Sequence, residues 1–128
     1  MRKIYETIIL AFVLVAEAFI WISRVQAQDV AKVSPQTVKV ILENDKVRVI
    51  ESTIPPGAVQ AKHSHPTTIV YYLSSATVKS EGPDGKPVVT ERHAGDVAYR
   101  EPLTHSSENV GKTPAKTLVI ELKSSSRP

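Results

Sequence analysis

The sequence contains no cysteine. Disulfides, thiolate metal ligands and thiol nucleophiles are therefore excluded. A small exported chain without disulfides must draw stability from its β-core, from an oligomer or from a bound metal. Aromatic residues are scarce, at 5%. Both Phe, the only Trp and one of the four Tyr fall before residue 28, which leaves Tyr71, Tyr72 and Tyr99 for the rest. There is no Gly-rich phosphate loop and no GxSxG, so nucleotide sites and serine triads are unsupported. No block of like charge occurs either. Three basic and two acidic residues precede residue 28, and the remaining 13 Lys and Arg are interspersed with 11 Asp and Glu. That pattern argues against nucleic acid and against an anionic membrane surface as partners.

What is present begins with a short positive start, Arg2 and Lys3, followed by an uncharged run from Ile8 to Ala16. Glu17 and a second apolar patch follow, and "VQAQD" places Val25 and Ala27 three residues and one residue before a cleavage point. Residues 1–27 are read as a signal peptide cut after Ala27. An uncleaved anchor running to Ile22 is the alternative, although the run is short for a bilayer and Glu17 is costly at mid-membrane. The expected location is periplasmic or secreted, with membrane contact only through this segment.

Residues 28–36 are polar and are expected to form a flexible lead-in. From Thr37 the dominant period is two. In "KVRVIEST" (46–53), Val47, Val49 and Glu51 share one face and Arg48, Ile50 and Ser52 the other. Further strand-like segments are 37–42, 68–73, 76–80, 88–92, 94–100 and 116–123, separated by Gly- and Pro-containing turns such as "PPG" and "EGPDGKP". No segment after residue 27 shows a convincing helical period. The expectation is an all-β domain over 37–123, a single antiparallel barrel or jelly roll, with a tail at 124–128.

The chemistry concentrates in "KHSHPTTIVYYL" (62–73). Residues two apart on a strand point the same way. An uninterrupted strand places His63, His65, Ile69, Tyr71 and Leu73 on one inward face. Two imidazoles in an apolar interior need partners, and one metal ion satisfies both. The plainer reading is two surface histidines on a solvated turn before Pro66.

The second half of the chain shifts that balance. Gly57 is followed by five residues and then His63-Ser64-His65, and "AGDVAYREPLTHSSEN" supplies Gly95, Asp96, Pro102, His105 and Asn109. In order and spacing these resemble the two motifs of the cupins, over roughly residues 38–122. Three positions depart from the pattern. The family glutamate falls on Ile69, a motif glycine falls on Ala76, and the second motif is one residue shorter and lacks its internal glycine.

The resemblance implies a metal held by His63, His65 and His105. The metal would be a divalent transition ion, whether Fe, Zn, Mn, Ni or Cu, since all accept imidazole. Without a carboxylate ligand the ion keeps its full charge and an open position, which favours an anionic or chelating oxygen ligand. Two functions follow as expectations. One is a dioxygenase-like enzyme on a small chelating substrate, with the catalytic acid and base unassigned. The other is a non-catalytic binding or structural cupin, possible without metal. A homodimer is expected by resemblance. His93 reads as a surface residue, Asn109 as a brace for the His105 loop, and Glu101 and Glu108 as solvated acids. Tyr71 and Tyr99 are candidates for the pocket mouth or for plain packing.

Overall fold

A computed structural model describes residues 28–124. Residues 1–27, read above as a signal peptide, and the last four residues of the tail lie outside the described residues. Nine strands follow one helical turn, α1 (Val30–Val33): β1 (Val38–Glu43), β2 (Val47–Ile54), β3 (Val59–His65), β4 (Thr68–Tyr72), β5 (Ala76–Glu81), β6 (Pro87–Arg92), β7 (Val97–Arg100), β8 (Leu103–Asn109) and β9 (Ala115–Leu122). They form two antiparallel sheets, β1-β2-β9-β4-β7 and β3-β8-β5-β6. The all-β expectation holds, and the two sheets face each other around a cavity lined from both. Among the described residues no helix is long and apolar enough to cross a membrane.

Alternation sets the core. On β2, Ile50, Ser52 and Ile54 are buried while Glu51 is exposed, as the period-two pattern requires. Val70 and Tyr72 on β4 and Ala115 on β9 complete this small interior. Full burial of a side chain such as Ile50 contributes about 1.5–3 kcal/mol.

Sharp turns let the short strands reverse. In Pro55-Pro56-Gly57-Ala58 the Ala58 amide donates to the Pro55 carbonyl at 3.0 Å, and Gly57 has φ +76°. In His93-Ala94-Gly95-Asp96 the Asp96 amide donates to the His93 carbonyl at 3.1 Å, and Gly95 has φ +93°. Both turns need positive φ at the third residue, where a side chain is strained. These are the two motif glycines.

Asn109 locks the turns at one end of the barrel. It is 0% exposed. Its Nδ2 donates to the carbonyls of Ile54 and Thr113 at 2.8 and 2.7 Å, and its Oδ1 accepts from the Gly111 amide at 2.9 Å. The expected bracing role holds, but its target differs: His105 lies on strand β8, and Asn109 braces the turn that follows β8 and the end of β2.

Residues 28–36 depart from the expected lead-in. They pack against β3 as a strap. Asp29 caps α1 by accepting from the Ala31 amide, Val30 is 2% exposed, and the buried Ser34 hydroxyl accepts from the Ala61 amide at 2.9 Å. Polar composition misled here because the strap's polar groups spend themselves on buried backbone rather than on water.

Replacing Asn109 with Ala strands two carbonyls and one amide. Urea denaturation is expected to show a loss of about 2–4 kcal/mol, given the usual cost of orphaned buried groups. A change within experimental error would remove Asn109 from this role.

Candidate metal centre

His63 and His65 lie on β3, and His105 lies directly opposite His63 on the paired strand β8. A bulge prepares the site. Gln60 pairs with Ser107 and His63 with His105, so three steps along β3 match two along β8. The extra residue lets Gln60 and His63 both turn inward although they are three apart. The bulge also leaves Ala61 outside the ladder. Its amide goes to Ser34 Oγ, and its carbonyl lies 2.6 Å from His63 Nδ1.

The ring centroids lie 4.7 Å apart for His63–His65, 4.7 Å for His63–His105 and 5.6 Å for His65–His105. One nitrogen from each falls within 4.8 Å of the other two. His63 Nε2 and His65 Nε2 stand 3.0 Å apart. Nitrogens sharing one ion at about 2.0–2.1 Å are roughly 3–3.5 Å apart, so this pair is already at ligand spacing.

The Nδ1 atoms decide what the Nε2 atoms carry. The Ala61 carbonyl can only accept, so His63 Nδ1 holds a proton. His65 Nδ1 lies 2.7 Å from Glu121 Oε1, a carboxylate whose other oxygen is 3.5 Å from Arg48 Nη1. His65 Nδ1 therefore donates as well. In the neutral rings both Nε2 atoms then bear lone pairs, facing each other at 3.0 Å. His105 Nδ1 lies 3.4 Å from Ser107 Oγ, and its buried Nε2 has no partner. Two unprotonated nitrogens facing each other, with the unpartnered Nε2 of His105 nearby, suit a cation, and a carboxylate–histidine pair is a common support for a metal ligand.

A proton is disfavoured on two of the three rings. Burial, together with the neighbouring histidines and Arg100, pushes His105 down to about 3. Burial likewise lowers His63 despite its bond to the Ala61 carbonyl. A divalent metal is a better fit to this donor set.

The other sequence-stated residues sort clearly. Ile69 is not beside the histidines. Pro66 and Thr67 carry the chain from one sheet to the other, which breaks the parity assumed across them. On β4 it is Thr68, Val70 and Tyr72 that line the cavity, while Ile69, Tyr71 and Leu73 face away. Tyr71 thus faces away from the cavity, and so does Tyr99, 63% exposed and paired in register with Ile69; it is Tyr72 that is buried on the cavity side. The His93 side chain is 81% exposed. Glu101 is exposed, and Glu108 pairs with Lys79 on the outer face of β8.

Glu121 was missed. Its signal lay in "KTLVIELK", where Glu121 shares parity with Thr117 and Val119, both of which line the cavity. Asp29 completes the support, accepting from Arg48 Nη1 at 3.0 Å. The same strap therefore steadies His63 through Ser34 and His65 through Asp29, Arg48 and Glu121.

Replacing Glu121 with Gln is expected to weaken divalent-metal binding about 10–100-fold in a chelator competition. Ile69→Glu should leave it unchanged, because that side chain leaves the barrel. Equal affinity in E121Q, or tighter binding in I69E, would contradict the geometry. Acid stability tests the buried rings. An unfolded histidine titrates near 6.5, whereas folded His105 titrates at about 3. Between those values the unfolded chain binds more protons, so stability present above pH 6.5 is lost as pH falls toward 3. The Tm of chelator-treated protein should drop through that window, less steeply in H105Q.

No family model matches the chain, and no curated protein does. Solved structures do. A cupin domain from Bordetella pertussis Tohama I aligns with TM-score 0.64 at 27% identity, over 68% of this chain and 92% of that one. A conserved protein with a double-stranded β-helix domain from Klebsiella pneumoniae aligns at 0.54 and 26%, over 78% and 90%. An RmlC-like cupin family protein from Methanocaldococcus jannaschii aligns at 0.56 and 14%, over 67% and 78%. Together with the two facing sheets, these likenesses establish the cupin fold for residues 28–124.

Proposed function

We propose that the chain is an exported cupin whose His63, His65 and His105 hold one divalent transition metal that faces a substrate cavity. The observation that carries this reading is the His63–His65 pair, 3.0 Å apart at Nε2 with both Nδ1 atoms committed elsewhere. An imidazole-only donor set accepts Fe, Zn, Mn, Ni or Cu. Bound there, such a metal supplies Lewis acidity to a chelating oxygen ligand and, if redox-active, a route to dioxygen chemistry. We read the activity as dioxygenase-like, on a small chelating molecule.

The chain's own residues have separable parts in this. His65 and His105 line a cavity of about 400 Å³, while His63 sits behind them, 1% exposed. Glu121 keeps the His65 proton on Nδ1 and so keeps Nε2 free. Val70, Leu103 and Val119 dry the walls around the site. Export rests on the Arg2-Lys3 start, the Ile8–Ala16 run and the Val25/Ala27 pair. A homodimer is supported by the edge strand β1, where Val40, Ile41 and Leu42 are 37–48% exposed.

One observation favours a second reading, a binding cupin without turnover: among the described residues no Asp or Glu lines the cavity to act as acid or base. Oxygen-consumption assays of the metal-loaded protein with chelating substrates separate the two.

The test of the metal itself is elemental analysis of untagged protein. About one equivalent per chain is expected from a mononuclear site. His63→Ala, His65→Ala and His105→Ala should each lose most of it, and His93→Ala none. Wild-type protein that takes up no divalent metal under reducing conditions would refute the reading.

A further inference from the structure

Two arginines enter the cavity from the edge strands of opposite sheets, Arg92 from β6 and Arg100 from β7. Neither has a carboxylate partner among the described residues, where the ion pairs use Lys46, Arg48, His65, Lys79, His93 and Lys123. Tyr72 stands between them. The Arg92 guanidinium carbon lies 5.6 Å from the Tyr72 ring centroid, and Arg100 Nη2 donates to the Tyr72 hydroxyl at 2.9 Å. Arg92 Nε is buried and has no hydrogen-bond partner.

Two like charges held beside one aromatic ring, in a cavity without an acid, repel each other and leave donors unmet. Guanidinium forks match the two oxygens of a carboxylate, which would answer both defects. The remaining walls are largely apolar, with Ile54, Val78, Leu103 and Val119 among them. The cavity, about 400 Å³, is also much larger than a bare carboxylate.

We propose that Arg92 and Arg100 form a carboxylate-binding subsite, and that the cavity takes a small organic acid with an apolar body. The acid group meets the arginines, and the rest of the molecule fills the cavity that His65 and His105 also line. Its approach to a metal rests on the metal-centre reading; the arginine contact does not.

The probes are phenylacetate and its neutral isostere phenylacetamide, titrated calorimetrically at low salt into the protein as isolated, both chelator-treated and metal-loaded. Phenylacetate should bind both forms, and phenylacetamide about tenfold more weakly or worse. Arg92→Gln and Arg100→Gln should each weaken phenylacetate by about tenfold, with the lysine variants recovering only part because they keep charge and lose the fork. Thermal melts check folding. If R100Q unfolds for want of its Tyr72 bond, R92Q carries the test, since Arg92 makes no such bond. Equal affinity for acid and amide, unchanged phenylacetate binding in R92Q, or no phenylacetate binding would overturn the proposal. Binding that requires metal and ignores R92Q would overturn it while leaving the metal centre intact. Arginine-dependent binding by protein that takes up no metal would do the reverse.

Discussion

Two imidazole nitrogens face each other at 3.0 Å, and while both rings stay neutral neither can carry a proton without giving up the bond at its own Nδ1. His63 Nδ1 is committed to the Ala61 carbonyl and His65 Nδ1 to the Glu121 carboxylate. The apposed lone pairs, with the orphaned Nε2 of His105 nearby, form a site whose electrostatics are complete only with a cation. Burial lowers the pKa of His63 and of His105, which disfavours a proton on either ring. Everything else around the centre serves to hold those commitments in place.

The bulge and the strap do that holding. A regular β3 would have turned either Gln60 or His63 outward. The bulge admits both, and the amide it frees is taken up by the buried Ser34 hydroxyl. Asp29, at the other end of the strap, anchors Arg48, which in turn reaches Glu121. Gln60 ties the strap to β2 through Thr37 and Ser52, at 3.0 and 2.9 Å. One nine-residue stretch thus sets two of the three rings. The polar side chains of this stretch that turn inward have a partner there: Ser34 accepts from the amide that the bulge frees and Asp29 accepts from Arg48, while Gln28, Lys32 and Gln36 stay exposed.

The legible parts of this arrangement were the local ones. His63 and His65 are two apart, Gly57 and Gly95 sit in four-residue turns, and Asn109 braces a loop that begins next to it. Such features leave short-range spacing in the chain, and the all-β alternation is equally local. The illegible parts are those that depend on which strands meet. Ile69 was placed inward by carrying parity across Pro66-Thr67, where the chain in fact changes sheet. Glu121 lies 56 positions from the histidine it orients, and Arg48 lies 19 from Asp29. No spacing records those contacts. The cavity arginines also escaped notice, because Arg92 and Arg100 read as ordinary strand-end charges until the two sheet edges are brought together.

The central claim is that three imidazoles ligate one ion, and it is tested most directly by X-ray absorption spectroscopy on the zinc-loaded protein. The account predicts a first shell of nitrogen and oxygen at about 2.0–2.1 Å, with outer-shell scattering that fits three imidazoles. Replacing Glu121 with Gln should leave that ligand count intact while metal release quickens. A shell fitted by carboxylate or water oxygens alone, without imidazole scattering, would contradict it.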